Sequence, residues 1–208
     1  MICILGCLDN EEGLKICQEM RSWLDKEHSV FVVHQTPPGS KFEYPAIKYA
    51  LDTAIRLNKS VLYLHTKGAG NKIPVNYKTA MMAPGVNYPK NATPEDCQRV
   101  VRMMWEKEFT GENLKKYLAV LNTDKPTVAC PLTGKEKLTW NNGWIINPAG
   151  AKELLKTFHL DTNRWYYEHM FRNTNINVIG IVSNKCDINN LDHTYMWNLI
   201  WSYFKCED

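Results

Sequence analysis

Short apolar runs alternate with amphipathic stretches through the first third of the chain, and this alternation constrains the fold more than any other feature. Apolar runs rich in β-forming residues occupy positions 2–8, 30–34 and 60–64. Between them, apolar residues recur at helical spacing, at Leu14, Cys17, Met20 and Leu24 and again at Ile47, Leu51, Ala54 and Ile55. Strands that alternate with helices build a mostly parallel sheet covered by helices. The sequence therefore predicts an α/β fold, Rossmann-like, with a mixed, mostly parallel sheet flanked by helices.

The same signals continue to the end of the chain. Helical spacing predicts helices over residues 97–105, 114–121, 151–158 and 195–203, and apolar runs predict strands near residues 126–131, 144–147 and 178–182. No internal repeat or linker divides these elements, and 208 residues fit one domain. We therefore expect a single domain over residues 1–208.

Charge and cysteine content exclude several classes of protein. The net charge of +3 is too small for a nucleic-acid-binding protein, which concentrates Lys and Arg in a strong patch. No apolar stretch approaches the roughly 20 residues that span a bilayer, so no transmembrane segment is expected. The seven cysteines are odd in number and scattered, which indicates reduced thiols rather than a disulfide framework. These features predict a soluble cytoplasmic protein, and they indicate no particular oligomeric state.

The third apolar run ends in the most informative segment, which begins at His65. In open α/β sheets, ligands bind beyond the carboxyl ends of the strands, and this segment occupies such a position. Glycines let backbone N–H groups approach a ligand closely, and a lysine supplies a compact positive charge suited to phosphate. The residues assigned to phosphate binding are Lys67, Gly68, Gly70 and Lys72.

Local charge supports an anionic ligand at this segment. Residues 53–94 contain no Asp or Glu, and their basic residues are Arg56, Lys59, Lys67, Lys72, Lys78 and Lys90. Such a concentration of positive charge attracts an anionic substrate such as a nucleotide diphosphate. The alternative interpretation is a solvated loop that is poor in acids, with His65 as a hydrogen-bonded residue of the core.

A second candidate segment combines two tryptophans with polar and turn-forming residues. It comprises Trp140, Asn141, Asn142, Gly143 and Trp144. Indole rings offer flat apolar faces, and Asn side chains both donate and accept hydrogen bonds, which suits a hydroxyl-rich sugar. The alternative is an Asn-Gly turn flanked by two core tryptophans.

A third candidate pair is Arg164 and Glu168, which are four residues apart and therefore share a helical face. Glu168 suits a general base toward an acceptor hydroxyl, or alternatively an ion pair with Arg164. The chain contains no Asp-x-Asp sequence, so no metal ligand is predicted.

These segments resemble a family of small glycosyltransferase-like proteins that is loosely related to rhamnan-synthesis proteins. The specific mark is a strand that ends in Tyr-Leu-His-Thr-Lys-Gly, here residues 63–68. Looser similarities follow in the same order at residues 103–108, 142–146 and 164–168. The resemblance extends over about residues 44–180.

The resemblance implies a GT-A-like, nucleotide-sugar-binding fold and transfer of a glycosyl group from a nucleotide sugar to the hydroxyl of a carbohydrate acceptor. Lys67 would then neutralise the diphosphate, and Glu168 or His65 would assist the acceptor as catalytic residues. The missing Asp-x-Asp departs from most enzymes of that fold, so dependence on a divalent metal stays open and no cofactor is predicted. Two alternatives remain, namely an inactive nucleotide-sugar or carbohydrate-binding relative and a protein-interaction scaffold built on Trp197, Trp201 and Tyr203.

Overall fold

The computed structural model describes residues 1–35, 43–66, 85–89, 91–93, 96–161, 166–182 and 193–204. The strands are β1 (Ile2–Leu8), β2 (Ser29–Gln35), β3 (Val61–His65), β4 (Thr127–Cys130), β5 (Trp144–Ile146) and β6 (Asn177–Gly180). The α-helices of these residues are α1 (Glu11–Leu24), α2 (Tyr44–Leu57), α3 (Asp96–Glu108), α4 (Gly111–Leu121), α5 (Pro148–Leu154), α6 (Tyr166–His169) and α7 (His193–Trp201). Two short 3-10 turns lie at Lys135–Lys137 and Trp140–Asn142.

The strands form one mixed sheet in the order β2-β1-β3-β5-β4-β6. Strand β1 is parallel to both β2 and β3, and β4 is parallel to β6. Strand β5 runs antiparallel to its two neighbours, β3 and β4. Five strands therefore point the same way and β5 alone is reversed, which confirms the predicted α/β class and the mixed sheet.

Helices cover both faces of the sheet and divide the core in two. Because side chains alternate across a strand, Leu5 of β1 belongs to one core and Ile4 to the other. The first core buries side chains of α1, α3, α4 and α7, including Met20 and Trp105. The second buries side chains of α2 and α5 together with Trp144. The predicted arrangement of helices flanking a sheet is therefore confirmed.

Local sequence explains where the helices begin and end. The side chain of Asn10 accepts a 2.7 Å hydrogen bond from the backbone N–H of Gly13, which caps the start of α1. Helix α2 begins with Pro45 in its first turn and ends at Asn58, whose φ of 49° is left-handed. Among the described helices, none is long and apolar enough to cross a membrane.

Several predicted boundaries shift by a few residues. The final helix ends at Trp201 rather than at residue 203, and β6 ends at Gly180 rather than at residue 182. Residues 67–84, which belong to the acid-poor stretch over residues 53–94, lie outside the described residues.

The reversal of β5 determines where its preceding turn lies. Tyr63 of β3 pairs with Trp144, the first residue of β5. The chain therefore enters β5 from the edge at which β3 leaves the sheet. This geometry brings the turn Trp140–Asn142 to the carboxyl edge of the parallel strands, beside His65.

Candidate functional site

The carboxyl ends of β1 and β3 are tied together by backbone and side-chain hydrogen bonds. The N–H of Thr66 donates to the carbonyl of Gly6 over 2.8 Å, and the hydroxyl of Thr66 accepts from the N–H of Leu8 over 3.0 Å. The side chain of Thr66 is buried. These bonds fix the backbone on the carboxyl side of His65, so that the histidine has a defined position at the sheet edge.

Glu43, which immediately precedes α2, is the centre of the polar contacts at this edge. Its Oε2 accepts a 3.2 Å hydrogen bond from the hydroxyl of Tyr63 and a second bond from Nδ2 of Asn142. Its Oε1 lies 3.7 Å from Nδ1 of His65. The Glu43 side chain is only 17% exposed. One carboxylate therefore joins a helix start, the third strand and the turn before β5.

Both ring nitrogens of His65 face oxygen atoms that accept hydrogen bonds. Nε2 lies 3.2 Å from the carbonyl oxygen of Asn141, and a carbonyl oxygen can only accept, so this nitrogen carries a proton. Nδ1 faces the Glu43 carboxylate, which also attracts a proton. The His65 side chain is only 12% exposed, and these two oxygens orient its ring at the sheet edge.

Tyr63, which is buried in the second core, donates a hydrogen bond to the Glu43 carboxylate that faces His65. Burial raises the pKa of the Tyr63 hydroxyl well above its ordinary value of 10.0, and the negative charge of Glu43 raises this pKa further. The hydroxyl therefore stays protonated and acts as a permanent donor to Glu43.

The turn before β5 presents its atoms through an uncommon backbone conformation. Asn141 and Asn142 have φ angles of 61° and 52°, in the left-handed region that Asn tolerates better than most residues. The Asn142 side chain accepts a 2.8 Å hydrogen bond from Nε1 of Trp144 and donates to Glu43. These bonds hold the turn so that the carbonyl of Asn141 meets His65.

Trp105 of α3 closes the site on the side of the first core. Its ring centroid lies 5.5 Å from that of His65. A β-carbon at Gly143 would lie 2.6 Å from Cε2 of Trp105, and closer still to Nε1. Residue 143 must therefore be glycine for the indole to approach the turn this closely.

Three N–H groups near His65 are buried and have no hydrogen-bond partner in the described part of the chain. They are Nε2 of Gln35, Nε1 of Trp105 and Nδ2 of Asn141. Most buried polar groups in proteins are hydrogen-bonded, and an unpartnered one costs about 1–3 kcal/mol. The edge thus combines the His65–Glu43 contact with donors that have no acceptor among the described residues.

The structure places the predicted site residues in different ways. His65, Asn141, Asn142 and Gly143 meet at one edge. Contrary to the prediction, Trp144 does not present a ring face to a ligand, because its side chain is fully buried. Its ring packs against Tyr63 and Phe171, at 4.8 Å and 5.9 Å between ring centroids. The backbone of Trp140 lies in the turn, and its side chain is outside the described part.

The third predicted segment adjoins the turn through backbone contacts. The carbonyl of Glu168 accepts a 3.1 Å hydrogen bond from the N–H of Thr139, two residues before Asn141. Arg164 lies outside the described residues, as do Lys67, Gly68, Gly70 and Lys72. Within the described stretches, no group of three or more His, Cys, Asp or Glu side chains is arranged to hold a metal ion.

Sequence reasoning missed Glu43 and Gln35 as parts of the site. A signal for both existed, because residues that follow a parallel strand or precede the next helix lie at the carboxyl edge. Gln35 ends β2 and Glu43 precedes α2, so topology alone assigns both to the edge of His65.

Comparisons of the chain with known protein families, with curated proteins and with solved structures gave no match.

Proposed function

We propose that the sheet edge around His65 binds a nucleotide sugar and that the protein transfers its glycosyl group to an acceptor hydroxyl, in polysaccharide synthesis. The observation that carries the proposal is the convergence of His65 and the turn at Asn141 and Asn142 on the single carboxylate of Glu43. Two segments that the resemblance links to one activity are thus neighbours at the sheet edge where α/β proteins bind ligands.

The sheet supports the same proposal. A central mixed sheet with helices on both faces is what the resemblance to glycosyltransferase-like proteins implies, and the chain has such a sheet. We therefore propose a GT-A-like form of the α/β fold, with the donor across the ends of β1 and β3.

The proposed reaction exchanges one bond for another at the anomeric carbon. The bond from this carbon to the phosphate oxygen breaks, and a bond to the acceptor oxygen forms. The nucleoside diphosphate leaves with the bonding electrons, and the acceptor hydroxyl loses its proton to a base. Stabilisation of the leaving diphosphate would contribute most to catalysis, because negative charge develops on it in the transition state.

We assign roles according to charge and position. His65, held by oxygen atoms next to both ring nitrogens, lies beside the leaving group and orients it. Lys67 and Lys72, in the acid-poor segment that follows Thr66 in the chain, supply further positive charge by the sequence argument. Glu168 is the proposed base, because its segment contacts the turn through Thr139.

One observation favours a second candidate, a donor-binding protein without turnover. Both nitrogens of His65 and both carboxylate oxygens of Glu43 already have partners within the protein. Groups held in this way bind and orient a ligand more readily than they exchange protons. The scaffold alternative lacks such support, since Trp197 and Trp201 are buried in the first core.

The test is calorimetric titration with a panel of nucleotide sugars, followed by an assay for release of nucleoside diphosphate in the presence of oligosaccharide acceptors. We expect at least one donor to bind more tightly than about 1 mM. His65→Gln should slow release by about a hundredfold or more, because the imidazole that positions the leaving group is lost. His159→Gln, at an exposed histidine, is the matched control and should leave the rate unchanged. Binding without release would favour the second candidate.

A further inference from the structure

Three buried N–H donors without partners are the strongest unexplained feature of the molecule. Gln35, Trp105 and Asn141 are 9%, 0% and 3% exposed, and the structure gives Nε2, Nε1 and Nδ2 of these side chains no acceptor among the described residues. They come from the end of β2, from α3 and from the turn before β5. No one element brings them together, so their common location is a property of the tertiary fold.

Each of the three donors belongs to a residue that lies close to His65. Nε2 of Gln35 lies 3.2 Å, and Cβ of His65 lies 3.5 Å, from the position that a β-carbon on Gly6 would occupy. The Trp105 ring is 5.5 Å from the His65 ring between centroids. Asn141 accepts the hydrogen bond of His65 through its own backbone carbonyl. The residues that carry the donors are therefore neighbours of one imidazole ring, although they come from separate elements.

The three unpartnered groups at this edge are all hydrogen-bond donors. The acceptors next to His65, namely the carboxylate of Glu43, the side-chain oxygen of Asn142 and the carbonyl of Asn141, already have donors. A sugar hydroxyl must donate as well as accept, whereas a phosphoryl oxygen only accepts. Donors without acceptors therefore match an oxyanion better than a hydroxyl-rich ring.

We propose that Gln35, Trp105 and Asn141 form an oxyanion subsite around His65 that binds the phosphoryl oxygens of a diphosphate. The assignment of the oxyanion to a diphosphate rests on the proposed function, whereas the need for an acceptor-only ligand rests on the three donors alone. Glycine at positions 6 and 143 contributes by leaving Gln35 and Trp105 next to bare backbone.

The test uses inorganic pyrophosphate as the probe, with glucuronate as a carboxylate probe. Calorimetry should show pyrophosphate binding that weakens about tenfold or more in Trp105→Phe, which keeps an aromatic ring but lacks the N–H. Asn141→Asp should weaken it further, because a carboxylate replaces the donor in a residue that keeps its left-handed backbone. Trp23→Phe and Asn58→Asp are matched controls, the latter at another left-handed Asn, and should bind pyrophosphate as the parent does. Equal binding by all variants, or a preference for glucuronate, would overturn the assignment.

A second measurement does not depend on how well the variants fold. In a nitrogen-15 spectrum of the parent protein, the seven tryptophans give separate indole N–H signals, and that of Trp105 should shift as pyrophosphate is added. The Trp23 signal should stay in place. A Trp105 signal that does not move at saturating pyrophosphate would contradict the subsite.

Different experimental results would contradict the subsite and the proposed function. If nucleotide sugars bind to the parent and to Trp105→Phe equally well, the subsite is wrong and the function stands. If pyrophosphate binding depends on the three donors but no nucleotide sugar binds, the function is wrong and the subsite stands.

Discussion

Nδ1 of His65 lies 3.7 Å from Oε1 of Glu43, so a strand end and a helix start share a polar contact at the carboxyl edge of the sheet. The same carboxylate accepts hydrogen bonds from Tyr63 and Asn142. Glu43 therefore couples three segments that are far apart in the sequence. Together with the hydrogen bond from His65 to the Asn141 carbonyl, this side chain holds His65 next to the turn.

The first prediction concerns Glu43→Gln. The amide keeps the shape of the carboxylate but has only one accepting oxygen, and its NH₂ group opposes a proton on His65. We expect the free energy of unfolding in urea to fall by about 1–3 kcal/mol. Asp52→Asn, on the exposed side of the same helix, should change it by less than about 1 kcal/mol. Equal effects of the two changes would contradict a central role for Glu43.

The second prediction concerns Gly143→Ala. The added β-carbon would overlap the indole of Trp105, and forcing atoms into a packed region costs about 1–3 kcal/mol. Chemical denaturation should show this loss. Trp105→Phe removes the atoms that clash, so the double variant should lose less stability than the sum of the two single changes. Strict additivity of the two changes would argue against the contact.

Burial of Trp144 leads to the third prediction. Trp144→Phe should lower the free energy of unfolding, by about 1–3 kcal/mol, because it reduces packing against Tyr63 and Phe171 and removes the donor to Asn142. Leu118→Ala, at a residue 38% exposed, is the control and should have a smaller effect. Unchanged stability combined with weaker sugar binding would instead indicate an open stacking surface.

The fourth prediction is a dependence of stability on pH through His28. Burial lowers the pKa of His28 below its ordinary value of 6.5, and the amino terminus lowers it further, although the Phe109 carbonyl and Glu27 act in the opposite sense. The unfolded chain therefore binds more protons than the folded one as the pH falls below 6.5. The contribution of neutral His28 to stability is present above that pH and is lost progressively below it.

Urea unfolding at about pH 7 and about pH 5 measures this effect. His28→Gln retains a donor toward the Phe109 carbonyl but does not titrate, so its stability should fall less between the two conditions. His159→Gln, at an exposed histidine, should behave as the parent protein does. A His28→Gln variant with the full pH dependence of the parent would contradict the assignment.

The α/β class follows from the sequence, because short apolar runs rich in β-forming residues alternate with stretches of helical spacing. The position of His65 at the carboxyl edge of the sheet follows from the strand that precedes it. The contact between His65 and Asn141 does not, because it requires the order of β3 and β5 in the sheet and the reversal of β5. Local periodicity predicts neither the strand order nor the reversal of β5.

Trp144 illustrates why the role of an aromatic residue is harder to predict. A tryptophan beside Asn and Gly is equally typical of a sugar-binding surface and of a core residue next to a turn. Burial decides between the two, and it depends on Tyr63 and Phe171, which are distant in the chain. Gln35 lies one residue beyond the strand predicted over residues 30–34, and its missing hydrogen-bond partner is visible only in three dimensions.

Calorimetric titration of the parent protein and of His65→Gln with nucleotide sugars tests the central claim most directly. The account predicts that at least one donor binds the parent more tightly than about 1 mM and binds His65→Gln about tenfold more weakly or worse. The absence of any donor that binds more tightly than about 1 mM would contradict it, as would equal affinity for the two proteins.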